Sequence, residues 1–406
     1  MRIGSCAVAA SAAICVQAGI ASAQGRTMTL AEVLARAREH APRIASARLA
    51  VEETRGRLLG ASVRLQTNPE LEASVGNREG PDSRFTDFEI GLAQSFEPGS
   101  RRSERIAGAN AAIAQRSANV DETTREVMRL AAVACFRALH AQERIRLLGA
   151  ARELAADLYS IAGRRFKAGD IAVLDVNIAR ASLARVGAER EAVEALRVLA
   201  VRDLRQLVGI DDDIRVEGEL AAGGEPDLTA LLRAAAERPE LRALEAGIQE
   251  AEADMRLGRT FARPEWGLGV RYSREEGDQI LLGGVTITLP VFSRGQELQA
   301  VGSARAARLR AELDAARTRV QIEVRSAFEA YSRRVAAIAM LETDAIRGLD
   351  ENEALTTRSF EAGQLGLPEL LLIRREILDT RSQYLDARLE AALARIDLDA
   401  SAGVLR

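Results

Sequence analysis

The motif Arg165-Phe166-Lys167-Ala168-Gly169 recurs in the second half of the chain as Ser359-Phe360-Glu361-Ala362-Gly363. Prolines recur in pairs with nearly the same separation: Pro42 and Pro239, Pro69 and Pro264, Pro98 and Pro290. A period of about 195 residues is far longer than the roughly 20 to 50 residues of a solenoid repeat, so the pattern indicates a duplicated half. We predict a first half at 24–209, a second half at 227–406, and between them a linker rich in glycine and acidic residues at 210–226.

Each half has the same predicted order of elements: an opening helix, a β-hairpin and two long helices. In the first half we expect them at 30–65, 69–97, 100–165 and 170–208, and in the second at 227–260, 264–292, 295–361 and 367–402. A straight helix of roughly 66 residues is ~100 Å long and needs a neighbouring helix along its length. Apolar residues at intervals of seven supply a coiled-coil seam in the first long helix: Ile106, Ile113, Val120, Val127 and Ala134.

The composition also favours long helices over a compact enzyme core. Of the 406 residues, 47% are hydrophobic but only 3% are aromatic, and aromatic side chains supply much of the buried area of globular cores. Alanine, leucine, arginine and glutamate dominate, as they do in coiled coils. The formal net charge of −3 gives no electrostatic argument for a nucleic-acid partner.

Residues 1–23 have the pattern of a secretory signal peptide. Arg2 supplies the positive charge, residues 7–20 form an apolar run, and Ala21-Ser22-Ala23 is a small-residue cleavage site. We therefore expect an exported protein. Removal of this segment leaves Cys135 as the only cysteine, and we expect it to be a buried, unreactive thiol.

The predicted hairpins alternate apolar residues with polar residues or glycine, which is the period of a β-strand with two different faces. The residues of the apolar face are expected to contact lipid: Phe88, Ile90, Leu92, Trp266, Leu268, Val285 and Ile287. Segments of about ten alternating residues are typical of transmembrane β-barrels. The alternative is two ordinary hairpins on a soluble domain, but the signal peptide and the duplication of the hairpin favour the membrane.

Four strands cannot close a barrel by themselves. An open sheet edge in lipid leaves backbone groups unsatisfied at a cost of several kcal/mol each, and the smallest outer-membrane barrels have about eight strands. The chain must therefore combine its strands with those of other copies. Two copies would give about eight strands and a filled interior, whereas three would give about twelve and room for a lumen, so three copies are favoured if the protein conducts a solute.

The sequence contains no catalytic constellation, since G-x-S-x-G, Walker and H-E-x-x-H motifs are all missing. The histidines, His40 and His140, have no cysteine or carboxylate at ligand spacing, and each is expected on a helix surface. The sequence therefore predicts no enzyme activity, no cofactor and no metal-binding site.

Together, the signal peptide, the duplicated half and the two hairpins resemble the TolC family of outer-membrane efflux channels. The paired turns at Gly169 and Gly363 are the most specific marks of this resemblance. The resemblance implies an α+β membrane protein whose homotrimer shares a twelve-stranded outer-membrane barrel, with four strands from each chain, and a long helical tunnel through the periplasm of a Gram-negative bacterium. It also implies two partners, a periplasmic adaptor (a membrane fusion protein) and an inner-membrane pump of the RND class.

Within that family, three segments are most similar to the outer-membrane components of cobalt–zinc–cadmium resistance pumps: Asn68-Pro69-Glu70-Leu71, Asp87-Phe88-Glu89 and Phe96-Glu97-Pro98-Gly99-Ser100-Arg101-Arg102. This similarity implies passive export of divalent heavy-metal cations. One alternative is a duct of the same architecture for drugs or for type I protein secretion. A further alternative, from a different functional class than a channel, is a periplasmic coiled-coil adaptor or scaffold.

The resemblance places the turns after the long helices at the periplasmic tips, where it assigns a gating acidic ring to the position of Glu369. Asp175 holds the matching position in the first half. An acidic ring favours cations, whereas the alternative is that both carboxylates only stabilise helix starts. The expected contacts with the adaptor, which could also be ordinary loop residues, are Gly169, Asp170, Gly363, Arg165 and Arg358.

Overall fold

The computed structural model describes residues 26–80, 83–221 and 223–405, so the predicted signal peptide at 1–23 lies outside the described residues. In the part of the chain that is described, no helix is both long enough and apolar enough to cross a membrane. The elements in chain order are β1 (Arg26–Thr29), α1 (Leu30–His40), α2 (Pro42–Ser62), β2 (Glu70–Glu79), β3 (Arg84–Phe96), α3 (Gly99–Ala168), α4 (Val173–Val208), β4 (Ile214–Glu217), α5 (Leu228–Ala235), α6 (Pro239–Thr260), β5 (Glu265–Glu275), β6 (Asp278–Thr288), α7 (Gln296–Leu341), a π-helical turn (Glu342–Ile346), α8 (Leu349–Glu361) and α9 (Leu367–Ser401). The order of two short helices, a hairpin and long helices occurs twice.

The opening helix of each half is divided before a proline, so the prediction of one continuous helix at 30–65 and at 227–260 is wrong. The second segment begins with Pro42 in the first half and with Pro239 in the second. Proline disfavours a helical conformation of the residue before it, but it fits the first helical position, where no backbone N–H is needed. Because the break occurs in both halves, it belongs to the repeated unit.

The helix α3 is 70 residues long, which corresponds to ~105 Å at about 1.5 Å per residue. It packs against α2, α4, α6 and α9, and so has neighbours along its length. The predicted seam lies within these contacts, since Val127 and Ala134 are buried and the other seam residues are half-buried. Most buried residues of α3 are alanines, whose small side chains allow the neighbouring helices to approach closely.

The corresponding helix of the second half is interrupted, so the prediction of one helix over 295–361 is wrong. Helix α7 ends at Leu341, a single π-helical turn follows, and α8 begins at Leu349. Gly348 lies between the turn and α8, and glycine is the weakest helix former after proline.

The strands β2, β3, β5 and β6 form one antiparallel sheet in that order. Its central pair joins the two halves of the chain, with Leu92 opposite Val270 and Phe96 opposite Trp266. The rings of Phe96 and Trp266 stack with centroids 4.5 Å apart. The two hairpins therefore form a single structural unit.

The predicted linker at 210–226 contains a strand that the sequence analysis missed. Strand β4 pairs in parallel with β1, and Ile214 and Val216 are buried in the same core as Met28. Each strand has 4 residues, too few for an alternating pattern to be recognised in the sequence. The linker is therefore held against the start of the first half by this strand pairing.

The largest core lies where α1, α3, α4 and this small sheet meet, and it includes Val33, Val127 and Leu204. Cys135 is buried in the same core. Burial raises the pKa of its thiol to about 12, so the thiol stays protonated and unreactive at neutral pH, in agreement with the expectation from the sequence.

Candidate functional site

The apolar face of the four-stranded sheet is exposed on every strand. All seven residues predicted to contact lipid lie on this face, with exposed fractions from 38% for Phe88 to 68% for Val285. The register explains the shared face, because Trp266 lies opposite Ile287 and Leu268 opposite Val285. Further exposed apolar residues extend it: Leu71, Val75, Val270 and Leu281. So large a continuous apolar surface marks a contact with lipid or with another chain.

The opposite face of the sheet carries glycine and charged residues. The Glu89 Oε1 atom lies 2.8 Å from Arg271 Nε, and Asp87 Oδ2 lies 2.8 Å from Arg78 Nε. Glycines occupy this face at several levels of the sheet: Gly91, Gly267, Gly269 and Gly284. The sheet therefore has one face suited to an apolar environment and one suited to water.

Both outer edges of the sheet are open, since β2 and β6 each pair on one side only within the described chain. An edge strand presents a row of unpaired backbone N–H and C=O groups. Such groups must be paired in lipid because no water is available there. The sheet can therefore enter a membrane only when a further strand covers each edge.

The base of the sheet is attached to α3 by Arg101, whose role the sequence analysis missed. Its side chain is 6% exposed and forms an ion pair with Glu265 at the start of β5. Its guanidinium also lies 4.2 Å from the ring centroid of Phe261. The sequence signal was the pair of arginines at 101–102, in the first turn of α3, but the burial depends on partners far away in the sequence.

The repeated motifs form the same turn at the far end of the long helices. Gly169 has φ 82° and Gly363 has φ 72°, a left-handed conformation that glycine adopts without steric cost. In each turn the residue after the glycine donates its backbone N–H to a carbonyl of the preceding helix, at 2.9 Å from Asp170 to Arg165 and at 2.9 Å from Gln364 to Ser359. This bonding satisfies carbonyl groups that a helix end leaves unpaired.

The structure brings the two tips together. One helix pair is α3 with α4, and the other is α8 with α9. Residues of both helix pairs share one small core: Leu158, Ala162, Ala179, Phe360, Leu367 and Leu370. The Arg165 guanidinium lies 5.3 Å from the ring centroid of Phe360, so it bridges the two tips. Arg358 and Asp170 are exposed to solvent, and Arg358 Nε donates to the Ala354 carbonyl of its own helix at 3.4 Å.

The predicted gate acids, Asp175 and Glu369, occupy the same position in α4 and α9. Asp175 Oδ2 accepts a hydrogen bond from the backbone N–H of Ala172 at 3.2 Å. Glu369 Oε2 accepts one from the backbone N–H of Gly366 at 2.7 Å. Both carboxylates thus stabilise the first turn of a helix. Glu369 is exposed, whereas Asp175 is half-buried.

The prediction that His140 lies on a helix surface is wrong. His140 belongs to α3, faces α9 and has a side chain that is 12% exposed. Its Nε2 atom is 2.8 Å from Asp386 Oδ1, and Arg144 binds both Asp386 and Glu189. The hydrogen bond with His140, together with the charge of Arg144, lowers the pKa of Asp386. His40 is exposed as predicted. Within the described residues, no group of three or more His, Cys, Asp or Glu could hold a metal ion.

Comparison with known proteins gives matches over nearly the whole described chain. The family described as "Outer membrane efflux protein" matches residues 33–210 and 230–404. The chain is 26% identical over 342 residues to the cobalt-zinc-cadmium resistance protein CzcC of Cupriavidus metallidurans, across 82% of this chain and 80% of that protein. The two segments matched by the family correspond to the two halves of the duplication.

Solved structures with the same fold include outer-membrane channels. A membrane protein from Pseudomonas aeruginosa has a TM-score of 0.77 at 17% identity, with 92% of each chain covered. The open state of the MtrE outer membrane channel of Neisseria gonorrhoeae has a TM-score of 0.76 at 19% identity, covering 93% of this chain and 89% of that one. The fold is therefore the TolC-like fold of these channels.

Proposed function

The chain belongs to the outer membrane efflux protein family, and we propose that three copies of it form the exit duct of a tripartite efflux system. As a member of this family it is an efflux channel. In our proposal the duct conducts passively and catalyses no reaction, since the energy comes from an RND-class pump in the inner membrane. The barrel lies in the outer membrane of a Gram-negative bacterium, and the helices lie in its periplasm.

The observation that supports a trimer is the open sheet with one exposed apolar face. In the proposed assembly, β2 of each copy pairs with β6 of the next, which covers both open edges. Three copies supply about twelve strands, enough for a lumen, whereas two supply about eight and leave an interior that side chains fill. The face with glycine and charged residues then lines the lumen, and the apolar face contacts lipid. A soluble coiled-coil scaffold would leave this apolar face without a partner.

We propose that the tips form the entrance and the docking site for the periplasmic adaptor. The exposed residues at the turns are the ones that an adaptor approaching end-on would meet: Arg165, Gly169, Asp170, Arg358 and Gly363. In a trimer the Glu369 carboxylates would form one acidic ring and those of Asp175 another. Opening would be a change in how the two helix pairs pack at the tips. Many proteins change between two functional states by such a change between two packed arrangements.

We propose divalent heavy-metal cations as the exported substrate. Two observations support this choice: the similarity to a protein named for resistance to cobalt, zinc and cadmium, and acidic side chains at the proposed entrance, which favour cations over anions. A duct for drugs or for a secreted protein would have the same architecture.

The test is deletion of the gene, followed by growth measurements with cobalt, zinc, cadmium, nickel, copper and a panel of drugs and detergents. We expect sensitivity confined to divalent metals, restored by the wild-type gene supplied in trans. Broad sensitivity to drugs with normal metal tolerance would retain the duct and overturn the metal substrate. Normal growth under every condition would contradict an efflux function for this chain.

A further inference from the structure

A cavity of about 140 Å³ lies between α3, α4, α8 and α9, on the tip side of the π-helical turn. Its lining is mostly aliphatic: Leu147, Ala151, Leu158, Val186, Leu371 and Leu378. Leu158, Val186 and Leu378 are buried, so the cavity has an apolar floor. Because its walls come from both helix pairs, any occupant would contact both.

Arginines outnumber acids in the lining of this cavity. Four arginines line it, Arg185, Arg374, Arg375 and Arg381, with Glu353 as the one acid of that lining. Arg381 is neutralised by Asp350 and Glu353, at 2.6 Å and 2.9 Å. Arg375 has a looser partner in Asp379, at 3.5 Å.

The other two arginines form no ion pair with a carboxylate of the described residues. In the described chain, Arg374 makes one hydrogen bond, from Nη2 to the hydroxyl of Thr357 at 3.3 Å, and its Nε is buried without an acceptor. Arg185 has neither a hydrogen bond nor an ion pair with any residue that the structure describes. Burial lowers the pKa of Arg374, against the opposing charges of Glu353 and Asp157. Arg185 and Arg374 are half-buried, and the lining holds more positive than negative charge. A partly desolvated cation that is not directly paired is costly, so the site favours an added anion.

We propose that this cavity binds a small amphipathic carboxylate, a medium-chain fatty acid or a molecule of similar chemistry. The head group is held by Arg374 and Arg185, because a guanidinium binds a carboxylate through parallel N–H donors. The alkyl tail fills the apolar floor, which favours it by removing apolar surface from water. The occupant joins the two helix pairs and so biases their relative packing at the tip. This inference does not depend on the efflux function.

The experiment measures protection of a reporter thiol in the purified full-length protein in a maltoside detergent. Ser182 lines the cavity and is half-buried, so Ser182→Cys places the reporter there. The native Cys135 is buried with a raised pKa and contributes little background. The probe is sodium octanoate, compared with octan-1-ol and with acetate, and the readout is the rate of labelling by a maleimide. Ser160→Cys, on an exposed part of α3 outside the lining, reports unspecific effects of the probe.

We expect octanoate to slow labelling at position 182 but not at position 160, with octan-1-ol and acetate much weaker. Arg374→Gln should raise the octanoate concentration for half-protection by about tenfold or more, since a hydrogen bond to a charged group is lost. Arg190→Gln is the matched control, because Arg190 lies on α4 outside the cavity and pairs with Glu191; it should have no effect.

Equal protection by octanoate and octan-1-ol would overturn the proposal, because the arginines would then contribute nothing. Absence of protection by any probe would also overturn it. If Arg374→Gln does not fold, which its elution in gel filtration would show, Arg185→Gln provides the same test. An unchanged half-protection concentration in that variant would contradict the assigned head-group site.

Discussion

The two halves of the chain have the same order of elements, but their longest helices differ. In the first half, α3 runs without interruption for 70 residues. In the second half the equivalent segment is divided into α7 with 46 residues, a π-helical turn and α8 with 13. Near the tip, α3 buries Ala155, Leu158 and Ala162, whereas Phe360 is the one buried residue of α8. After the duplication, the tip end of the long helix is therefore more tightly packed in the first half, in α3, than in the second half, in α8.

The largest effect is expected in the sheet, where the two halves should behave alike. Leu92→Arg in the first half and Ile287→Arg in the second each place a charge on the apolar face, at a cost of ~2–4 kcal/mol if the position is near the lipid midplane. We expect both variants to lose trimers from the outer-membrane fraction, measured by membrane fractionation and native gels.

The matched controls are Ser74→Arg and Thr286→Arg, which place the same charge on the opposite face of β2 and β6. We expect both to assemble. Normal assembly of both apolar-face variants would show that this face does not contact lipid, and loss of only one would show that the two hairpins differ in their surroundings.

A smaller effect, on stability, should differ between the two halves where the hairpins meet the long helices. Arg101 and Arg294 both follow the proline at the end of a hairpin, but Arg101 is buried against Glu265 and Arg294 is exposed and donates to the Pro290 and Val291 carbonyls. Arg101→Met should destabilise the protein by about 2–3 kcal/mol, less than for a wholly buried pair because Glu265 is partly exposed.

Arg294→Met should change stability by no more than about 0.5 kcal/mol, as is usual for a surface substitution. The measurement is the temperature at which the trimer dissociates on a gel. Equal shifts for the two variants would refute the anchoring role assigned to Arg101.

At the tips the effect on stability is smaller than for Arg101→Met, and the two halves should differ in channel conductance instead. Glu369→Ala removes both the negative charge and the hydrogen bond to Gly366, at a cost of about 1 kcal/mol. Glu369→Gln removes the charge but keeps an acceptor that suits this helix position. If the carboxylate helps to close the entrance, both variants should raise the single-channel conductance of the protein in a planar bilayer.

Asp175→Ala gives the comparison in the first half, and we expect a weaker effect on conductance because that carboxylate is half-buried. Wild-type conductance of Glu369→Gln would mean that Glu369 acts at the helix start alone.

The features that could be predicted from the sequence were those encoded by local patterns. Alternation of period two identified the strands, because a pleated strand turns successive side chains to opposite faces. The glycines at 169 and 363 marked the turns, because a left-handed helix end favours glycine. The same locality explains why Pro42 and Pro239 should have been recognised as helix starts rather than placed inside helices.

The features that could not be predicted depend on partners that are distant in the sequence. The burial of Arg101 depends on Glu265 and Phe261 in the other half. His140 is half-buried because α9 packs against α3. The cavity at Arg374 has walls from four helices, and no short segment of sequence indicates that these walls leave a space between them.

The small parallel sheet of β1 and β4 has a consequence for how the chain folds. Its partners are separated by about 190 residues, and contacts of such high sequence separation form slowly because a long loop must first be closed. The hairpin of the first half and its long helices can all form before β4 exists on a growing chain. The core around β1, at the start of the first half, is therefore completed only when the junction has been made. This four-residue pairing thus couples the folding of the first half to the synthesis of the junction.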